Sequence, residues 1–421
     1  MARRRIPAIL LASGVAVSAL LTACADTQTS STTTAEATTS GSAGEAGSFD
    51  CSPYEAFGDL NGTTVTVYTS IVAPEDQPHI DSWKPFEDCT GVDVQYEGSK
   101  EFEAQLIVRV KGGNAPDIAY VPQPGLLQTL VHDTGKVVAA PDATAANVDE
   151  FFDPAWKEYG SVDGTFYAAP LGANVKSYVW YSPKVFAEKG YETPETWDDL
   201  MTLTEKIAAD NPDAKPWCAG FGSGDATGWP GTDWLEDVLM RTADPDVYDQ
   251  WVAHEIPFND AKVVEALDTA GKILKDPKYV NGGFGDVNSI ATTTFQDGGQ
   301  PILQGKCFMH RQASFYAANW PEGTKVAEDG DVWAFALPAE TADSVPMLVG
   351  GEFAADDLAE DQVVVKEQLV QSVLQEEEGK AMLTYVLNRG GETSLYEQLY
   401  RALRADIESG VLAAGARLPS K

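Results

Sequence analysis

The chain has 421 residues and a formal net charge of −35, with 64 acidic residues against 29 basic ones. That balance excludes nucleic acid and anionic membrane surfaces as partners and favours a secreted, soluble protein. The length allows two lobes or domains, and no apolar span after the first two dozen residues is long enough for a channel.

Arg3, Arg4 and Arg5 form a basic start, and a mostly apolar run over 6–21 follows. It is too short for a membrane span and has the shape of a signal peptide over 1–23. Its ending, Leu21-Thr22-Ala23-Cys24, resembles a bacterial lipobox, which implies that Cys24 becomes the first mature residue and carries lipid. Residues 25–48 contain no aromatic or branched aliphatic side chain and cannot bury a core, so 24–50 reads as a lipidated cysteine and a disordered tether.

Four further cysteines, Cys51, Cys89, Cys218 and Cys307, suggest two disulfides in an exported chain. Of the three pairings, Cys51–Cys89 with Cys218–Cys307 keeps each bridge inside one lobe. A zinc site is the alternative, but no two cysteines have CxxC spacing and the four histidines are scattered.

The β-branched alternation of 63–68 predicts a strand that runs out into Ser70, Glu75 and Asp76. A helix is expected over 83–89, a strand over 92–97, and a helix opened by Gly98-Ser99-Lys100 through Val110, stopped by Gly112-Gly113. A third strand with its exit spans 115–122. This β-α-β-α-β order implies a sheet with helices on both faces, whose strand ends bind ligand. Asp163-Gly164 predicts a hairpin turn, 174–181 one long strand, and 194–209 an amphipathic helix capped by Thr193 or Thr196. A short strand over 217–222, helices over 247–254 and 260–275, a strand over 332–338 and a tight turn at 350–353 complete the pattern.

Gly228-Trp229-Pro230-Gly231-Thr232-Asp233-Trp234 stands apart. Pro230-Gly231 predicts a turn, with Asp233 capping a following helix, Trp229 on an exposed loop and Trp234 in the first helical turn. Two rings beside a carboxylate suit a sugar, whose CH face stacks and whose hydroxyls donate. The competing assignment makes both tryptophans ordinary core residues.

Several motifs together resemble one family. They are the lipobox, Tyr68-Thr69-Ser70 with Pro74-Glu75, Phe86-Glu87-Asp88-Cys89-Thr90-Gly91 and Gly113-Asn114-Ala115-Pro116-Asp117-Ile118-Ala119. Phe166-Tyr167-Ala168-Ala169-Pro170 and Glu195-Thr196-Trp197-Asp198-Asp199-Leu200 belong to the same set. Over about 51–357 the chain resembles an extracellular solute-binding lipoprotein of a carbohydrate ABC importer. The tryptophan segment and Met309-His310-Arg311-Gln312 are most similar to its alpha-glucoside-binding branch. The resemblance implies an α/β clamshell of two lobes, 51–172 and 173–337, with a return to the first over 338–381 and hinges near 172–174 and 337–338. It implies a carbohydrate ligand, permease partners, a lipid anchor on the outer face of the membrane, a monomer, no cofactor and no catalysis. Ligand-facing candidates are Ser70, Glu75, Ser99, Asp117, Asn174, Trp229, Asp233, Trp234, Arg311 and Phe353. For Asp117 the competing role is a brace on its strand, and for Arg311 a pairing with one of the many acids.

After about residue 357 the pattern departs from that family, so the first lobe is expected to be incomplete. Residues 363–379 read as one charged helix, and 382–421 resemble the opening of a GntR-type winged-helix regulator of the aminotransferase-fused kind. This tail, with Leu395, Leu399, Leu403 and Ile407 on one stripe, holds five basic against four acidic residues, a net of +1. So small a charge cannot hold a phosphate backbone beside an acidic body, so the tail is expected neither to bind DNA nor to serve the sugar site. An exported glycoside hydrolase using a carboxylate pair such as Asp233 and Asp237 is the other competing function; no nucleophile motif or HExxH supports it.

Overall fold

The computed structural model describes residues 50–356, apart from 244, 284, 286 and 342–344. The signal peptide, Cys24, nearly all of the tether, the helix expected over 363–379 and the tail over 382–421 lie outside the described residues.

The first part of the chain runs β1 (Thr64–Thr69), α1 (Asp76–Thr90), β2 (Asp93–Gly98), α2 (Phe102–Gly112) and β3 (Ile118–Val121). Three helices follow, α3 (Pro124–Thr134), α4 (Asp142–Phe151) and α5 (Pro154–Tyr159), then a hairpin of β4 (Ser161–Val162) and β5 (Thr165–Phe166), and β6 (Ala168–Pro170). Asp163 and Gly164 turn that hairpin with φ of 51° and 78°, the left-handed pair that a two-residue hairpin loop demands. The second part holds β7 (Asn174–Val175), β8 (Tyr178–Tyr181), α6 (Pro183–Lys189), α7 (Trp197–Asp210), β9 (Lys215–Cys218) and α8 (Trp229–Thr242). It continues through α9 (Pro245–Val252), α10 (Ala261–Leu274), β10 (Val280–Asn281), α11 (Phe295–Gly298), β11 (Cys307–Arg311) and β12 (Trp333–Ala336), and returns through β13 (Val349–Gly350) and β14 (Phe353–Asp356). No helix among the described residues is long and apolar enough to cross a membrane.

Two five-stranded sheets result, ordered β2-β1-β3-β14-β6 and β10-β9-β11-β8-β12. In the first, β1 pairs parallel with β2 and β3, while β14 runs antiparallel to β3 and β6. Strand alternation sends Val65, Val67, Ile118 and Tyr120 to one face, where Trp83 and Phe86 of α1 cover them. Tyr68, Ala119 and Val121 go to the other, against Phe102 and Leu106 of α2 and Leu127 of α3. The second sheet packs Val179, Trp217 and Met309 against Leu200 and Leu203 of α7 and Trp234, Val238 and Leu239 of α8. α7 starts on a capping box: Thr196 Oγ1 accepts from Asp199 N, and Thr196 N donates to the Asp199 carboxylate.

The long strand expected over 174–181 is two strands in different sheets, because the chain crosses between the sheets at Lys176-Ser177. β7 pairs with β13 in a short ribbon that joins the two crossovers. The crossovers touch at Gly351, where an added Cβ would lie 1.7 Å from the Gly172 carbonyl oxygen, so only glycine fits.

Both expected disulfides form, Cys51–Cys89 and Cys218–Cys307, with Cα separations of 5.4 and 5.6 Å. They take up all four cysteines of the described residues, so none of these four is left for zinc. The closed loops, with sequence separations of 38 and 89, contribute about 4–5 kcal/mol each in the chain-entropy account.

Candidate functional site at the cleft between the sheets

The parallel strands β1 and β2 end on the same edge of the first sheet, and ligands of such sheets collect beyond the carboxyl ends. Ser70, directly after β1, lines a cleft of about 430 Å³, counting its open solvent, together with Val72, Lys100 and Phe102. The opposite wall is the 222–226 loop after β9 and the start of α11, with Phe295 and Gln296. Ser99, after β2, turns the chain into α2: its N–H donates to Thr69 O at 2.9 Å, and its hydroxyl accepts from Glu101 N at 3.1 Å. Glu75, at the start of α1, is buried and accepts from Asn319 Nδ2 of the second half at 2.9 Å.

Trp229 is the first residue of α8, half-buried beside this cleft. Its ring meets Phe295 edge-on at 5.0 Å and Phe315 at 5.9 Å, and Lys176 Nζ lies 5.8 Å from its centroid. The turn expected at Pro230-Gly231 is instead the first turn of this helix, which starts on Gly228 with φ 113°. Proline is tolerated there because a first-turn N–H has no partner inside the helix. Asp233 is therefore inside the helix and does not cap it.

The early helix start also corrects the pairing of the two tryptophans. Five residues at about 100° each place Trp234 roughly 140° around the helix from Trp229. Trp234 is 2% exposed and packs edge-on against Trp217 at 5.5 Å in the core of the second half.

Four other expected ligand residues are placed elsewhere. Asp117 stands before β3, at the end of the sheet away from the cleft, where it accepts from Thr66 N at 2.8 Å and Thr66 Oγ1 at 2.7 Å. Phe353 lies in β14 and not in a turn; it is buried, 6.0 Å from Trp156. Asn174 is buried in the β7–β13 ribbon, accepting from Ser314 Oγ at 3.3 Å. Arg311 ends β11, a strand buried along its whole length.

Arg311 belongs to a buried charge network on α8. Asp233, Asp237 and Arg241, spaced four apart, share one helical face. Arg311 donates to Asp237 Oδ2 at 2.9 and 3.1 Å and lies 3.6 Å from Asp233, which pairs with Lys176 at 3.1 Å. Arg241 pairs with Asp237 and donates to the carbonyls of Leu337 (2.7 Å), Pro338 (3.0 Å) and Pro346 (2.9 Å). Ser177 Oγ donates to Asp237 at 2.6 Å and accepts from Leu348 N at 2.8 Å. Both crossovers are thus fastened to one helix whose first residue is Trp229. Asp237 is thus held between two buried guanidinium groups and Asp233 is paired with Lys176, an arrangement that does not suit a hydrolytic carboxylate pair. Glu236, beside them, has its carboxyl raised by burial and then by Asp233.

His310 is buried and neutral. Nδ1 lies 3.1 Å from the Cys218 carbonyl, and burial pulls the imidazole down to about 4. Phe295 and Asp225, which line the cleft, and Phe315 and Asn319, which contact Trp229 and Glu75, have no periodic or motif signal. Asp225 alone sits in a Ser-Gly-Asp stretch that composition marks as a loop.

Two helix-covered sheets, paired crossovers and a cleft at strand ends define the two-lobed fold of a binding protein. The chain belongs to the bacterial extracellular solute-binding protein family, whose profile matches residues 67–367. It is 39% identical over 304 residues to the osmoprotective compounds-binding protein GgtB of Synechocystis sp., covering 71% of this chain and 70% of that one. It is 38% identical over 307 residues to the alpha-glucosides-binding periplasmic protein AglE of Rhizobium meliloti, covering 70% and 66%. Among solved structures, the solute receptor AcbH, described as preferring β-D-galactopyranose, superposes with a TM-score of 0.62 at 20% identity, over 76% of this chain and 78% of the other. A maltose-bound protein of T. maritima gives 0.59 at 16% identity, over 85% and 88%. These two share the fold.

Proposed function

We propose that this protein captures an alpha-glucoside or related oligosaccharide outside the cell and delivers it to the permease subunits of an ABC importer, as a monomer and without a cofactor. Residues 51–172 and 338–381 make one lobe in this reading, and 173–337 the other. The observation that carries it is Trp229, packed with Phe315 against Phe295, which lines the cleft together with Ser70. An aromatic face takes the CH side of a sugar ring, and hydroxyl and carboxylate acceptors take its O–H groups. The likeness to an alpha-glucoside binder supports the ligand class. Calorimetry against maltose, trehalose, sucrose and maltooligosaccharides is the test. Binding of at least one with a saturable heat is expected; a flat response to all of them would refute the ligand class.

We further propose that Cys24 carries lipid and that the tether after it holds the binding body at the membrane surface. Cys24→Ala is expected to move the protein from the membrane fraction to the medium. Retention unchanged by the substitution would rule out the anchor. The likeness of 382–421 to a GntR-type regulator adds no DNA binding to this reading, given its net charge of +1.

A further inference from the structure

Helix α2 begins in the first half without a cap of its own: Glu101, at its N-cap, makes no side-chain hydrogen bond to the first turn. The first N–H groups of a helix have no partner inside it. One of them is satisfied from across the cleft, where Asp225 accepts from Ala104 N at 2.7 Å. Asp225 belongs to the loop after β9, 121 positions away in the chain. The neighbouring Gly224, with φ +58°, lies so close to the Lys100 carbonyl that an added Cβ would stand 2.4 Å from its oxygen. This loop is therefore shaped to meet the start of α2. Glu103 in the same turn has its carboxyl raised by burial and then by the nearby Asp225.

We propose that Asp225 is a closure latch, capping α2 only while the two halves are shut, so that closing gains a charge-assisted helix cap and opening loses it. It acts as a positioning residue: through the start of α2 it sets the closed fraction, and through that the affinity. A carboxylate cap on a helix N-terminus also meets the positive end of the helix dipole. Caps of this kind shift an equilibrium by roughly 2- to 30-fold.

The test uses the full chain without sugar, so it stands or falls separately from the proposed ligand. Amide hydrogen exchange at Ala104 is followed in the parent, Asp225→Ala, Asp225→Asn and Gly224→Ala. Asparagine caps about as well as aspartate and alanine does not. Exchange at Ala104 is expected to speed up roughly 2- to 30-fold in Asp225→Ala and by distinctly less in Asp225→Asn, which keeps the acceptor but not the charge. Gly224→Ala keeps the carboxylate but holds the loop off the Lys100 carbonyl, so it should speed exchange as Asp225→Ala does. Parent-like exchange in Asp225→Ala, or equal acceleration in the Ala and Asn variants, would overturn the latch.

Discussion

Asp237→Ala is expected to lower the unfolding free energy by about 3–5 kcal/mol, the cost of breaking a buried ion pair from one side. The Asp237 side chain is 0% exposed, and those of its partners Arg311 and Arg241 are 0% and 1% exposed. Removal leaves the buried Arg241 guanidinium without its counter-charge and Arg311 with only Asp233, 3.6 Å away. Burial already pulls Arg241 below its usual range, and Asp237 acts against that. The Ser177 hydroxyl loses its acceptor as well, and with it the link to Leu348 in the other crossover. An exposed pair is the control: Lys206 and Asp210 are 50% and 47% exposed, so water screens the pair and Asp210→Ala should cost far less than Asp237→Ala. Chemical denaturation reads both. A loss below about 1 kcal/mol for Asp237→Ala would show that the network is not what fastens the crossovers.

How much of this was legible in the sequence depended on whether the signal was local. β1 declared itself through Thr-Val alternation, and α7 through the Thr196–Asp199 box, because both patterns are satisfied within a few residues. The disulfide pairing followed from keeping each bridge inside one half. The break in 174–181 was invisible, since tyrosines, valines and a tryptophan suit either sheet and only tertiary pairing separates β7 from β8. Pro230-Gly231 has the composition of a turn, yet both residues fit a first helical turn, so the helix start was misplaced and Trp234 with it. Arg311 and Asp233 look like ligand groups by type. Their pairing, Asp233 with Lys176 and Arg311 with Asp237, spans 57 and 74 residues, beyond any window of periodicity. Asp117 looks like a ligand group by type, but it precedes β3, which runs parallel to β1, and so lies at the amino end away from the cleft.

Trp229 carries the central claim, and its removal has the largest expected effect on binding. Its ring is half-buried at the start of α8, flanked by two phenylalanines and a lysine, so its loss removes a stacking face and little of the core. One such face contributes about 1–3 kcal/mol to a complex, or roughly tenfold to a hundredfold in affinity. Trp234, five positions on, is fully enclosed against Trp217, and its truncation should cost about 3–5 kcal/mol of stability. The most direct measurement is a sugar titration of the parent, Trp229→Ala and Trp234→Ala with the alpha-glucoside that the parent binds, beside a thermal melt of each. The expected result is a tenfold to hundredfold weaker dissociation constant for Trp229→Ala at a melting temperature near the parent's, and a much lower melting temperature for Trp234→Ala. A Trp229→Ala protein that binds the sugar as the parent does would contradict the assignment of this cleft as the sugar site.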